Sequence, residues 1–378
     1  MVFSSTIFLF LFLPAVLLVH LLLPRRFRNL WLLAASLFFY AWGEVVYSLL
    51  MLASILMNYV LGLIVARQPT RGSARAAVGL AIAVNLAFLA VFKYGNFAVA
   101  NLNLLLRPLG FAPIDLVEPI HLPIGISFYT FQAISYLVDV YRGDAQAQRN
   151  PLKVGLYIAL FPQLIAGPIV RYRDVAAQIT DRVLSLDGFA YGVRRFIVGL
   201  GKKVLIANIL AVPANNVFSC PPDSLSVAAV WFGVSCYAFQ IYFDFSGYSD
   251  MAIGLGRMFG FRFLENFDHP YASRSMTEFW RRWHISLSSW FRDYLYYPLG
   301  GNRGGAFRTF RNLLIVFLLC GLWHGAQWNF VAWGLFHGAF LVAERFGRGH
   351  AFSPAWDPFR HLYVALVCLV SWTLFRAE

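Results

Sequence analysis

The sequence predicts an all-α polytopic membrane protein, and three observations carry that expectation. Hydrophobic residues fill 59% of the 378 positions and charged residues only 13%, against a charged share of about 25% in an ordinary soluble domain. The apolar residues fall into runs approaching the ~20 residues that cross a bilayer. Lys and Arg gather between the runs, as the cytoplasmic loops of membrane proteins require. One soluble core cannot hide so much apolar surface, and a disordered chain needs the opposite composition. The net charge of +13 is therefore read as topology rather than as a nucleic-acid surface.

The length leaves room for about eight to eleven spans. Ile7 to Leu23 is the first. It lacks the basic lead-in and small-residue cleavage site of a signal peptide, so it reads as a retained span. Pro24 ends it, and Arg25, Arg26 and Arg28 put that end in the cytoplasm and the N-terminus outside. Leu30 to Trp42 is short, Gly43-Glu44 turns the chain, and Val45 to Ala66 returns to a second basic loop with Arg67, Arg71 and Arg75. Ala77 to Phe92 crosses outward. Asn96 to Glu118 mixes polar residues, Pro and Gly and is assigned to the outer surface. His121 to Val140 returns inward.

Val154 to Val170 breaks the pattern. It is apolar but contains Pro162, Gln163, Gly167 and Pro168, with Arg149 and Lys153 before it and Arg171 and Arg173 after it. Positive charge at both ends predicts a re-entrant segment shielded from lipid by protein. Val183 to Lys203 carries Arg194, Arg195, Lys202 and Lys203 and predicts an amphipathic interfacial helix. Val204 to Phe218 and Val227 to Phe243 form a hairpin of spans around Cys220-Pro221-Pro222-Asp223. Leu313 to Leu322 is too short to span without its flanks. Trp328 to Val342 and Leu362 to Leu374 are the last runs. Neither a repeat nor a linker divides the chain, so residues 1–378 read as a single integral domain. The chain stops at Glu378 directly after an apolar run, and we expect that domain to be C-terminally incomplete.

Polar residues set in apolar sequence are the functional candidates of a membrane protein. Three clusters qualify. The first runs from Ile241 to Met251 and includes Asp244, Ser246, Gly247 and Asp250. In an unbroken helix Ser246 and Asp250 share a face, while Asp244 lies about 120° away; Gly247 is a candidate break. The cluster is either a capped polar helix end or the lining of a wet cavity. The second runs from Thr277 to Asp293. Trp280, Trp283, His284, Leu287 and Phe291 share a stripe, beside Arg281, Arg282 and Arg292. It is either an interfacial anchor or a mouth for an anionic donor, with Arg for phosphate and Trp for stacking. The third holds His324 between Trp323 and Gly325, with His337 farther along. A lone histidine of this kind is either a packing residue or a base suited to neutral pH. His20, His350 and His361 are assigned to interfaces, His121 to a span start and His269 to a loop. No two histidines have a helical metal spacing, and Cys220, Cys236, Cys320 and Cys368 share none either, so no metal is expected.

These clusters, with Met1-Val2-Phe3-Ser4-Ser5, Leu122-Pro123-Ile124-Gly125-Ile126-Ser127-Phe128-Tyr129, Val138-Asp139-Val140-Tyr141-Arg142-Gly143 and Phe161-Pro162-Gln163-Leu164-Ile165-Ala166-Gly167-Pro168, resemble the membrane-bound O-acyltransferase family over nearly the whole chain. The resemblance implies a ring of tilted helices around a tunnel. It implies His324 as the catalytic histidine, His284 as the second histidine near the donor entrance, and His337 as a recurrent position. It implies acetyl-CoA as donor, at a mouth built from Arg281, Arg282, Trp280 and Trp283, with Asp244 and Asp250 as supporting polar residues. The implied acceptor side is an exported polysaccharide such as alginate, reached through a periplasmic or membrane-anchored acetyltransferase partner of a bacterial inner membrane. The alternatives are D-alanyl transfer to teichoic acid from an acyl carrier protein and, in another class, a transporter. The residues leave open whether His324 is a general base or a nucleophile.

Overall fold

The computed structural model describes residues 1–114, 118–346 and 357–377. Among these residues every regular element is helical. In chain order they are α1 (Phe8–Leu22), α2 (Arg25–Ala41), α3 (Tyr47–Ala66), α4 (Arg71–Leu109), α5 (Ile126–Arg142), α6 (Pro151–Ala159), α7 (Phe161–Leu164) and α8 (Tyr172–Thr180). There follow α9 (Leu186–Ser219), α10 (Val227–Met258), α11 (Met276–Arg282), α12 (Ile285–Phe291), α13 (Ala306–His324), α14 (Trp328–Phe346) and α15 (Asp357–Arg376). Six of them, α3, α4, α9, α10, α13 and α15, are long and apolar enough to cross a membrane. The chain is a multi-pass helical membrane protein.

The short N-terminal run is helical as expected, and Phe3 ahead of it is buried and stacks on Tyr248 at 4.6 Å between ring centres. The Val154–Val170 segment is a broken pair of short helices. Its residues from Val154 to Leu164 are buried, and its freed backbone groups find protein partners. Phe161 N–H donates to Ser36 Oγ at 3.1 Å, and Ile169 N–H to Ser286 Oγ at 2.9 Å. Irregular backbone at membrane depth needs such satisfaction.

The segment from Asn96, assigned to the outer surface, is helical as far as Leu109, because α4 runs on through a π turn at Ala90–Tyr94. Asn96 leaves no polar group stranded there: its side chain pairs with both backbone groups of Ile120, at 2.8 and 2.9 Å. Two expectations are corrected. Val183 to Lys203 is not a separate interfacial helix, because it continues into α9, 34 residues long. Three of the four cations that suggested an interface are neutralised from α10. Arg195 and Lys202 each reach Asp250 at 2.7 Å, and Lys203 reaches Asp244 at 2.6 Å. His20 is not interfacial but fully buried, edge-on to Phe259 at 5.1 Å. His350 lies outside the described residues.

Gly247 does not break α10. It lets α10 touch α9. A Cβ there would stand 2.7 Å from Gly199 O, and one at Gly254 would stand 2.6 Å from Gly192 O. Both pairs are seven residues apart on their helix, so one face of small residues brings two backbones into contact. The close approach is what allows Arg195 and the two lysines to reach the α10 carboxylates.

A second ionic cluster ties α8 to the turn after α12. Asp293 receives Arg171 and Arg173 at 2.6 Å each and Arg292 at 2.9 Å. Burial alone pushes the Asp293 carboxyl up, but Arg292, Arg171 and Arg173 outweigh it and hold it below the ordinary carboxylate value.

Two outcomes are expected. Gly247→Leu forces α9 and α10 apart and destabilises the protein by about 1–3 kcal/mol or more, read as a lower thermal midpoint in detergent. Because the Asp293 carboxyl is depressed, its stabilisation is present above the unfolded carboxylate pKa, about 3.9, and is lost as pH falls through the lower folded value. The midpoint of wild type therefore drops on acidification below about pH 4, and that of Asp293→Asn drops less.

Candidate active site

The site begins with the end of α13. Its last residue is His324, and Gly325 leaves the helix in an extended conformation. A helix end exposes carbonyls with no partner in the helix. Here α4 supplies two. Lys93 Nζ donates to Trp323 O and, at 3.1 Å, to Ser127 Oγ at the start of α5. Tyr94 Oη donates to Leu322 O at 2.7 Å. Lys93 and Tyr94 close the π turn of α4, a local widening that re-aims side chains and recurs at functional sites. A cation at a helix C-terminus also meets a favourable dipole. The His324 ring sits among the edges of Trp323, Trp333 and Phe375, with ring centres 4.9, 5.0 and 5.2 Å away. Neither of its nitrogens has a hydrogen-bond partner among the described residues.

His284 lies in the break between α11 and α12, and its φ of +43° is a left-handed conformation rare for a side-chain-bearing residue. Asn266 holds it there. Asn266 Oδ1 accepts Ser286 N–H at 3.2 Å and Ser286 Oγ–H at 2.8 Å, while its Nδ2 donates to Ser249 Oγ at 2.9 Å. The Ser286 N–H can only donate, so the amide orientation is fixed. The 3.1 Å contact from His284 Nδ1 to the same Oδ1 is then an Nδ1–H donating. That leaves the lone pair on Nε2, which is buried and has no partner. Asn266 thus sets the tautomer, the job a carboxylate performs in hydrolytic triads.

Both histidines line one cavity of about 430 Å³, together with Lys93, Ser127, Trp283, Trp323 and Trp333. No carboxylate lines it. The walls are mostly aromatic and aliphatic, with two imidazoles and one ammonium as the ionisable groups. Such a site holds a small uncharged group next to a base and keeps free anions without a counter-charge from settling except at Lys93.

The other expected residues divide. Trp283 lines this cavity. Trp280 lines a second, smaller one of about 190 Å³ with Ser288, Arg292, Tyr296 and Cys320. Its Nε1–H donates to His337 Nδ1 at 3.3 Å. His337 is fully buried and packs edge-on to Trp280 and Trp333, 5.1 and 4.9 Å away. It braces the wall between the cavities. Arg282 is paired with Glu278 at 2.8 Å, Arg281 is exposed on α11, and neither lines either cavity. Asp244 and Asp250 serve α9, as described, and orient neither imidazole. Asn266, Lys93 and Ser127 did not stand out in the sequence. Lys93, a lone cation closing an apolar run, carried a signal, because an ionisable residue at membrane depth is a candidate by default. Asn266 sits in an ordinary polar loop and carried none.

His284 and His324 thus meet on one cavity among the helices of a membrane bundle. The family model of the membrane-bound O-acyltransferases matches residues 148–373, a stretch that contains His284, His324 and His337. The chain belongs to this family and is an acyltransferase. Probable alginate O-acetylase AlgI of Azotobacter vinelandii is 51% identical over 379 residues, covering 100% of this chain and 75% of its own length. Peptidoglycan O-acetyltransferase of Helicobacter pylori is 37% identical, covering 100% of this chain and 77% of its own. Teichoic acid D-alanyltransferase of Streptococcus thermophilus is 32% identical over 58% of this chain and 56% of its own.

Asn266→Ala frees the His284 ring and leaves Ser286 N–H unpaired. We expect acyl transfer to fall by roughly 10- to 100-fold with protein levels retained. Acyl transfer at the wild-type rate would show that the tautomer of His284 is irrelevant.

Proposed function

We propose that this chain takes acetyl from acetyl-CoA at the cytoplasmic face of a bacterial inner membrane and delivers it for O-acetylation of an exported polysaccharide such as alginate. The observation that carries the reading is the cavity shared by His284 and His324. It offers a base with unengaged ring nitrogens, an apolar wall for a two-carbon acyl group, and no carboxylate to compete for protons. The full-length likeness to proteins named for alginate acetylation, beside partial coverage by D-alanyltransferases, favours acetyl over D-alanyl from an acyl carrier protein. An ion pathway is disfavoured because Asp244 and Asp250 are held in ion pairs with α9.

In this reading His324 is the general base that takes the proton of the accepting hydroxyl. His284, with its lone pair fixed on Nε2, is the second catalytic histidine. Arg281, exposed on α11, and Arg282 beside it meet the donor phosphates, a charge-assisted contact suited to guanidinium. Trp283 on the cavity wall and Trp280 in the neighbouring pocket offer flat rings on which the donor's base stacks. A periplasmic or membrane-anchored acetyltransferase partner receives the acetyl group, and lipid surrounds the bundle. The basic loops at Arg25–Arg28 and Arg67–Arg75 put the N-terminus in the periplasm.

His324→Ala, compared with wild type at equal membrane level, is expected to remove polysaccharide acetyl esters to background, a loss of at least ~10²-fold. Unchanged ester content would take His324 out of the mechanism. Replacing Arg281 and Arg282 together with Ala is expected to raise the donor KM by about tenfold, the worth of one charge-assisted contact, with kcat little altered. An unchanged KM would move the phosphate contact elsewhere.

A further inference from the structure

Among the described residues that line the cavity shared by His284 and His324, Lys93 supplies an ammonium and no carboxylate opposes it. Trp323 and Trp333 line the cavity with their rings, and their indole N–H groups are buried in its wall. The two rings flank His324, with ring centres 4.9 and 5.0 Å from the imidazole. Lys93 lines the same space. Its ammonium spends two donors on Ser127 Oγ and Trp323 O and has a third. A cation beside a base, in a cavity lined by no carboxylate, fits one ligand chemistry: a carbonyl oxygen that becomes negative.

We propose that Lys93 forms the oxyanion site of the acyl transfer, with the rings of Trp323 and Trp333 as its apolar walls. The inference rests on the acyl-transfer reading with His324 as base. The accepting hydroxyl loses its proton to His324 and its oxygen bonds to the thioester carbon. The electron pair of the C=O bond moves onto oxygen, where the Lys93 ammonium meets it. When the C=O bond re-forms, the C–S bond breaks, and the leaving thiolate takes the proton from the imidazolium. Donors arranged beforehand in a dry site act mainly on the charge that develops, so they raise kcat more than they tighten substrate binding.

The test measures steady-state acyl transfer from acetyl-CoA by the purified full chain in detergent or nanodiscs, with each variant checked for a wild-type-like elution profile. Lys93→Met is expected to lower kcat by about 10²- to 10³-fold with the donor KM within about threefold, and Lys93→Arg, which restores a cation, to recover at least about tenfold of that loss. A loss confined to KM, or a Lys93→Met enzyme with wild-type kcat, overturns the proposal. A measurement on unaltered protein gives a second reading. The ketone analogue of acetyl-CoA, labelled with ¹³C at the carbonyl, should show a downfield-shifted resonance when bound, and an unshifted one overturns the oxyanion site. If His324→Ala keeps full activity, the acyl-transfer reading itself has failed. If His324→Ala is inactive while Lys93→Met is not, only the oxyanion assignment has.

Discussion

Lipid offers no hydrogen bonds, and this constraint shapes the whole molecule. Every polar group placed at membrane depth must find its partner inside the protein. The end of α13 shows the consequence at the point that matters most. Its last carbonyls are met by Lys93 and Tyr94 of α4, and the same contacts fix where His324 stands. The broken α6–α7 segment is satisfied from α2 and from Ser286. Ser286 is in turn bonded to Asn266, which holds His284. Satisfying the backbone and positioning the chemistry are therefore one network. A change that loosens a helix end in this protein also displaces an imidazole.

Charge obeys the same constraint in two different settings. Between α9 and α10 the ion pairs depend on close helix contact, which glycine at 192, 199, 247 and 254 permits. Around Asp293 the arginines come from loops and short helices, and the half-buried cluster joins parts of the chain more than 100 residues apart. A buried carboxylate stripped of its cations leaves an uncompensated charge, and this costs far more than a surface pair contributes. Both clusters thus act as fixed joints rather than as candidates for proton transfer.

The broad architecture was legible because hydrophobic runs and basic loops report on the bilayer directly. The helical character of the N-terminal runs, the broken segment near Pro162 and the extension of Leu313–Leu322 into α13 follow from the pattern of apolar residues. What misled was charge read without its partner. Arg195, Lys202 and Lys203 look interfacial until Asp244 and Asp250 are seen across a helix contact, and the same contact removes those two aspartates from the site. His324 and His284 were legible as polar residues in apolar surroundings. Asn266 was not, because its importance comes entirely from what folds against it. Arg281 and Arg282 were legible as basic residues, but the sequence could not show that neither lines a cavity.

The backbone at His284 has one more consequence. Its left-handed conformation carries a strain of about 1–3 kcal/mol that glycine would not feel. Folding alone would therefore place glycine at 284, and chemistry asks for imidazole. The four-way hydrogen bonding of Asn266 is what reconciles the two demands. In the proposed mechanism position 284 is thus a point of trade-off: replacements that make the protein sturdier there are the ones that empty it of the second histidine, so a search for stabilised versions would drift toward inactive ones.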